Sequence, residues 1–155
     1  MGMVLRYLSL GAVALGALLV GAVQHPPFTR AQGVPLFDPT TGVCSSYPEP
    51  SIPGSWQVSA PRGFPGAVAP GDSVQIGLRD KFGDTDDYDV TATVLLPDGR
   101  VAQADTTLTG SDWAYLQFPD DFDSGSTDSA GAYTILWTID DSLVACDGFA
   151  IVPGD

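Results

Sequence analysis

From Val74 to Val152 apolar and polar residues alternate with a period of two, and no segment shows a helical period. That confines this stretch to strands and turns. Val74, Ile76 and Leu78 alternate with Ser73, Gln75 and Gly77, while Tyr88, Val90, Ala92, Val94 and Leu96 alternate across Asp89, Thr91, Thr93 and Leu95. Leu96-Pro97-Asp98-Gly99-Arg100 reads as a turn, because Pro, Asp and Gly each favour turn positions, and Val101 to Leu108 returns from it. Trp113 to Phe118 is a further strand. Tyr133, Ile135, Trp137 and Ile139 form the strongest inward row, and Leu143 to Val152 runs back after Asp140-Asp141-Ser142. A strand at Trp56 to Ala60, with Trp56 and Val58 on one face, brings the total to about seven at spacings of about ten residues. This is the pattern of a single all-β, two-sheet antiparallel sandwich.

The chain ahead of that pattern divides in two. Met1 to Arg6 carries one positive charge and leads into an uncharged apolar run from Tyr7 to Val23. Pro26-Pro27 breaks any helix, and Thr29-Arg30-Ala31 puts small residues at the two positions a signal peptidase reads. Residues 1–31 therefore read as a secretory signal helix cleaved between Ala31 and Gln32, with a second site after Ala22. The run is at the short edge of what spans a bilayer, so an uncleaved anchor is the alternative and the one route to a membrane. Residues 32–55 form a Pro-rich extended lead: Pro35, Pro39, Pro48, Pro50 and Pro53 exclude helix and interrupt sheet pairing. The sandwich occupies 56–155. Its expected location is extracellular, secreted or at a cell surface.

Charge removes one class of function. With 6 Lys+Arg against 19 Asp+Glu, the net charge is -13 and the surface repels phosphate backbones, which excludes nucleic acid as a partner. The single histidine, His25, falls in the signal segment, so a mature chain has no Ser-His-Asp or Cys-His arrangement to build. Phe122-Asp123-Ser124-Gly125-Ser126 resembles the signature loop of aspartic proteases, but that chemistry needs two such carboxylates sharing a proton. One copy would demand a homodimer; the plainer reading is a polar loop leading into the next strand. No enzyme activity is expected.

Cys44 and Cys146 are an even pair in a chain that reads as exported, so they are expected to form a disulfide tying the lead to the last strand. Closing a loop of about 100 residues contributes about 4 to 5 kcal/mol by the loop-entropy argument. Of the acids, 18 are Asp and one is Glu. Asp84, Asp86, Asp87 and Asp89 stand in one loop and are candidate calcium ligands, since calcium takes six to eight oxygens in flexible geometry. They do not follow EF-hand spacing, and the alternative is an acidic loop that solvates the surface. No other cofactor is implied. Trp113 and Tyr115 alternate opposite to Leu116 and Phe118; facing outward they would stack on a sugar or a partner, and facing inward they would join the core.

Several of these residues resemble a known family. Pro70-Gly71-Asp72-Ser73-Val74 resembles the opening of strand B in bacterial immunoglobulin-like surface domains. Gly131-Ala132-Tyr133-Thr134-Ile135-Leu136-Trp137, followed by Val144-Ala145-Cys146-Asp147-Gly148-Phe149, is similar to their closing F–G hairpin. The resemblance spans roughly residues 56–152 and implies that Tyr133 is a corner tyrosine, its hydroxyl bonded to nearby backbone. Strand F carries no cysteine, so the inter-sheet bridge of antibody domains is absent. The implied function is a structural or adhesive module acting through protein–protein contacts with other extracellular or cell-surface proteins, or with copies of itself. A calcium- or carbohydrate-binding module is the alternative. Residues 32–55 are also long enough to donate a strand to an uncovered sheet edge of a neighbour.

Overall fold

A β-branched or aromatic residue at every second position gives a strand one face to bury, and burying it requires a second layer. The computed structural model describes residues 33–45, 50, 52–61, 68–84 and 86–153, so the expected signal helix at 1–31 lies outside the described residues. Among them there is no helix, and nine strands form: β1 (Leu36–Asp38), β2 (Val43–Ser45), β3 (Trp56–Ser59), β4 (Val74–Asp80), β5 (Asp87–Leu95), β6 (Val101–Thr109), β7 (Ala114–Phe118), β8 (Gly131–Ile139) and β9 (Ser142–Ile151). The seven strands that period two predicts are β3 to β9.

Every pairing is antiparallel. One sheet has the order β3-β4-β7, the second β6-β5-β8-β9, and β1 with β2 makes a separate hairpin. The core lies between the two larger sheets, in a sandwich-like arrangement. Ile76, Leu78, Leu116 and Phe118 enter it from one side, and Val90, Val94, Leu108, Tyr133, Ile135, Trp137 and Phe149 from the other. Each such side chain contributes about 1.5 to 3 kcal/mol by leaving water. Aromatic rings join the sheets: Phe118 on β7 lies 5.9 Å from Tyr133 and 6.2 Å from Phe149, which stack on each other at 4.7 Å.

Tyr133 is fully buried, yet its hydroxyl is satisfied, lying 2.9 Å from the Ser129 carbonyl and 3.2 Å from that of Ser126. It thereby ties the approach to β8 back onto itself, and burial pushes its phenol above the ordinary tyrosine value. The β8–β9 turn places Asp140 and Asp141 at φ 48° and 59°, the left-handed pair that a two-residue hairpin turn requires.

Within the Pro-rich lead, residues 36–45 fold into a hairpin of two extended strands. Asp38-Pro39-Thr40-Thr41-Gly42 is turn chemistry, Asp38 Oδ1 accepting from the Thr40 N–H at 2.8 Å and Gly42 N–H reaching Asp38 O at 2.8 Å, so the chain doubles back as β1–β2. Leu36 and Val43 stay exposed, but Phe37 is buried and its N–H donates to Thr134 Oγ1 at 3.0 Å. Gly148 on β9 lies against the Phe37 ring, where a Cβ would overlap both that ring and the Tyr133 carbonyl. Cys44 and Cys146 are disulfide-bonded, their Cα atoms 6.2 Å apart and 102 residues apart in sequence. Residues 36–45 thus lie on the outer face of their own four-stranded sheet.

Candidate binding face

Several of the acidic side chains are engaged by backbone. Asp38, Asp80, Asp84 and Asp98 each accept the N–H two residues on, from Thr40, Phe82, Asp86 and Arg100, at 2.8 to 3.3 Å. Aspartate, one methylene shorter than glutamate, closes this ring readily, and four of the Asp residues use it. Those N–H groups hold the carboxyls of Asp38 and Asp98 below the ordinary range, and at Asp98 the Arg100 guanidinium adds to the effect. Asp87 and Asp89 point outward from β5 on either side of half-buried Tyr88. Among the described residues no three His, Cys, Asp or Glu side chains are placed to hold a metal ion. The four acids of the calcium expectation are strung along a loop and a strand rather than gathered around one point.

The protease-like loop also has a backbone task. Asp123 Oδ1 accepts from the Gln103 N–H at 2.9 Å, the Asp123 N–H returns to Gln103 O at 3.0 Å, and Ser124 Oγ donates to Val101 O at 3.3 Å. The loop therefore pairs with β6 along its free edge. Two residues earlier, Asp121 Oδ2 accepts from the Gln117 N–H of β7 at 2.6 Å. Each carboxylate satisfies an edge-strand donor that could otherwise template pairing with another chain.

The outward face of β3-β4-β7 is different in kind. Ala114, Leu116 and Phe118 of β7 are buried, which turns Tyr115 to solvent at 45% exposure and leaves Trp113, just before the strand, half-buried. The two rings stack at 5.6 Å with 15° between their planes. The Arg79 guanidinium lies 4.7 Å from the Trp113 ring, while its Nε donates to Gln57 Oε1 at 2.8 Å. Gly77 makes room for the pair: a Cβ there would stand 2.7 Å from Tyr115 Cδ1 and 3.2 Å from Trp113 Cε3. Register arranges the face in rows, with Gln57 beside Arg79, then Ser59, Gly77 and Tyr115, then Gln75 beside Gln117.

Sequence alternation alone identifies Trp113 and Tyr115 as a pair but leaves out Gln57, Gly77, Arg79, Gln75 and Gln117. Gln75, Gly77 and Arg79 share the outward alternation of β4, a legible signal. That β4 lies between β3 and β7, in this register, is a long-range fact that alternation does not carry.

The other sheet offers a cavity of about 540 Å³ beside the β1–β2 hairpin, lined by Val34, Leu36, Leu95, Pro97, Val101 and Leu136 among others. Its side-chain hydroxyls come from Thr93 and Thr134, and Thr134 already accepts from Phe37. A site of this kind lacks the several convergent polar groups that orient a small ligand. Comparison of the chain with protein-family models, curated proteins and solved structures finds no match.

Proposed function

We propose that this chain is an exported, non-catalytic, immunoglobulin-like adhesive module that acts in the secreted space or at a cell surface, with the outer face of β3-β4-β7 as its contact face. The immunoglobulin-like reading is supported by strand order, since β3, β4 and β7 stand where strands A, B and E stand in such domains, and β5, β6, β8 and β9 where C, C′, F and G stand. Tyr133, with its hydroxyl on Ser129 O, fits the corner tyrosine near the start of strand F. Export is supported by the signal-like segment 1–31 and by the Cys44–Cys146 disulfide, a bond that persists in oxidising compartments. The absence of a histidine after residue 31, and the engagement of Asp123 with Gln103, support a role without catalysis. The reading requires no cofactor.

The single observation that carries the contact face is the Trp113–Tyr115 stack beneath Arg79, with Tyr115 exposed and Trp113 half-buried. Large rigid aromatics and arginine contribute most of the binding energy in contact surfaces while losing little conformational freedom. The test is co-sedimentation of the oxidised protein from Gln32 with intact cells of the producing organism. Tyr115→Ala is expected to reduce the bound fraction at least tenfold with the melting temperature unchanged. Undiminished attachment of that variant would place the contact elsewhere.

A further inference from the structure

Resting on that reading, we propose that the β3-β4-β7 face binds a glycan carrying a carboxylate, with the sugar ring over Trp113 and Tyr115 and the carboxylate on Arg79. The outward side chains of this face are Gln57, Ser59, Gln75, Arg79, Trp113, Tyr115 and Gln117, with no aliphatic residue among them. A protein contact draws on the same aromatic and arginine side chains but sets them in a core that is more apolar than this face. A pyranose instead presents C–H groups on its faces and hydroxyls around its edge, and rings flanked by side-chain amides, each both donor and acceptor, match that pattern.

Charge supplies the second argument. In a chain with a net charge of -13, Arg79 meets no carboxylate among the described residues, where the one ion pair is Arg100 with Asp98. Its Nε is spent on Gln57 and its plane on Trp113, which leaves the terminal nitrogens as a fork for a carboxylate. Lys81 follows two residues on, and the intervening Asp80 turns its carboxylate to the N–H groups of Ser55 and Phe82. At the opposite end, beyond Gln75 and Gln117, Asp120 accepts from Ser73 and Asp121 from Gln117. The basic side chains of the face, Arg79 and Lys81, thus stand together at one end, beside Asp80 and Asp112, and the anionic group belongs on the Arg79 fork.

The experiment uses the oxidised protein from Gln32 on an array of carboxylated oligosaccharides, each paired with its methyl ester, followed by calorimetric titration. At least one carboxylated glycan should bind ten times more tightly than its ester. Arg79→Gln should abolish that preference, and Tyr115→Ala should weaken both at least tenfold. Tyr115→Phe, which keeps the ring and the cover over Gly77, should bind both within threefold of the parent. Raising the salt should weaken the acid and spare the ester. Equal binding of acids and esters, or a preference that survives Arg79→Gln, overturns the proposal. A blank array combined with loss of cell attachment in Tyr115→Ala overturns the glycan while leaving the adhesive face in place. If Tyr115→Ala changes neither, both readings fall.

Discussion

The outer faces of the two sheets have opposite fates. On β6-β5-β8-β9 the lead returns as a hairpin, buries Phe37 against Gly148 and is locked by Cys44–Cys146. On β3-β4-β7 no described segment covers the outer face, and large rings lie over Gly77 with Tyr115 open to water. Both faces use a glycine to admit an aromatic ring. On the first sheet the ring comes from a distant segment and completes the fold; on the second it comes from the neighbouring strand and stays available. The same local device thus serves stability on one side and, in our reading, contact on the other.

The contrast breaks most severely when the disulfide is removed. Cys44→Ser with Cys146→Ser should cost about 4 kcal/mol, within the 2 to 5 typical of native bridges, and should expose Phe37; denaturant titration and amide exchange of residues 36–45 check both. Gly148→Ala comes next at about 2 kcal/mol, because the added methyl overlaps Phe37 and a backbone carbonyl that cannot both withdraw. Gly77→Ala should cost less than about 1 kcal/mol, since the Tyr115 ring 2.7 Å away can swing into solvent. Near-equal losses from these two substitutions would erase the distinction between the faces.

Tyr133→Phe sharpens the account of the core and should cost about 1 kcal/mol by deleting the bond to Ser129. The phenol is raised above 10.0 in the folded chain, so its contribution is complete below pH 10 and declines as the pH rises through the folded value. Melting temperature should therefore fall more steeply above pH 10 in the parent than in Tyr133→Phe. The smallest effect lies in acid. Asp38 and Asp98 are lowered from 3.8, so their contribution is present above that value and lost as the pH falls through the folded ones. Asp98→Asn should flatten the decline in melting temperature below pH 4 only slightly.

Much of the sandwich is legible in the sequence because period two is a local signal. Tyr133, Ile135 and Trp137 are inward by alternation alone, and all three are fully buried. The cysteine pair is legible from the count. The β1–β2 hairpin is not: Leu36-Phe37-Asp38 is too short to display a period, and what fixes it is Phe37 meeting Gly148 more than a hundred residues away. The candidate face is half legible, because alternation marks Trp113 and Tyr115 but cross-strand register brings Arg79 and Gln57 to them. For the calcium candidates Asp84, Asp86, Asp87 and Asp89, the loop's local spacing is legible, and the structure adds that the Asp84 carboxylate closes a turn onto the Asp86 N–H.

The most direct measurement is hydroxyl-radical footprinting of the oxidised protein, free and attached to the cells that produce it. Protection of Trp113 and Tyr115 is expected, with Leu36 on the hairpin and Val101 on the four-stranded sheet modified as in the free protein. Protection of Leu36 and Val101 with Trp113 and Tyr115 unchanged would contradict it, and would move the contact to the hairpin side of the sandwich.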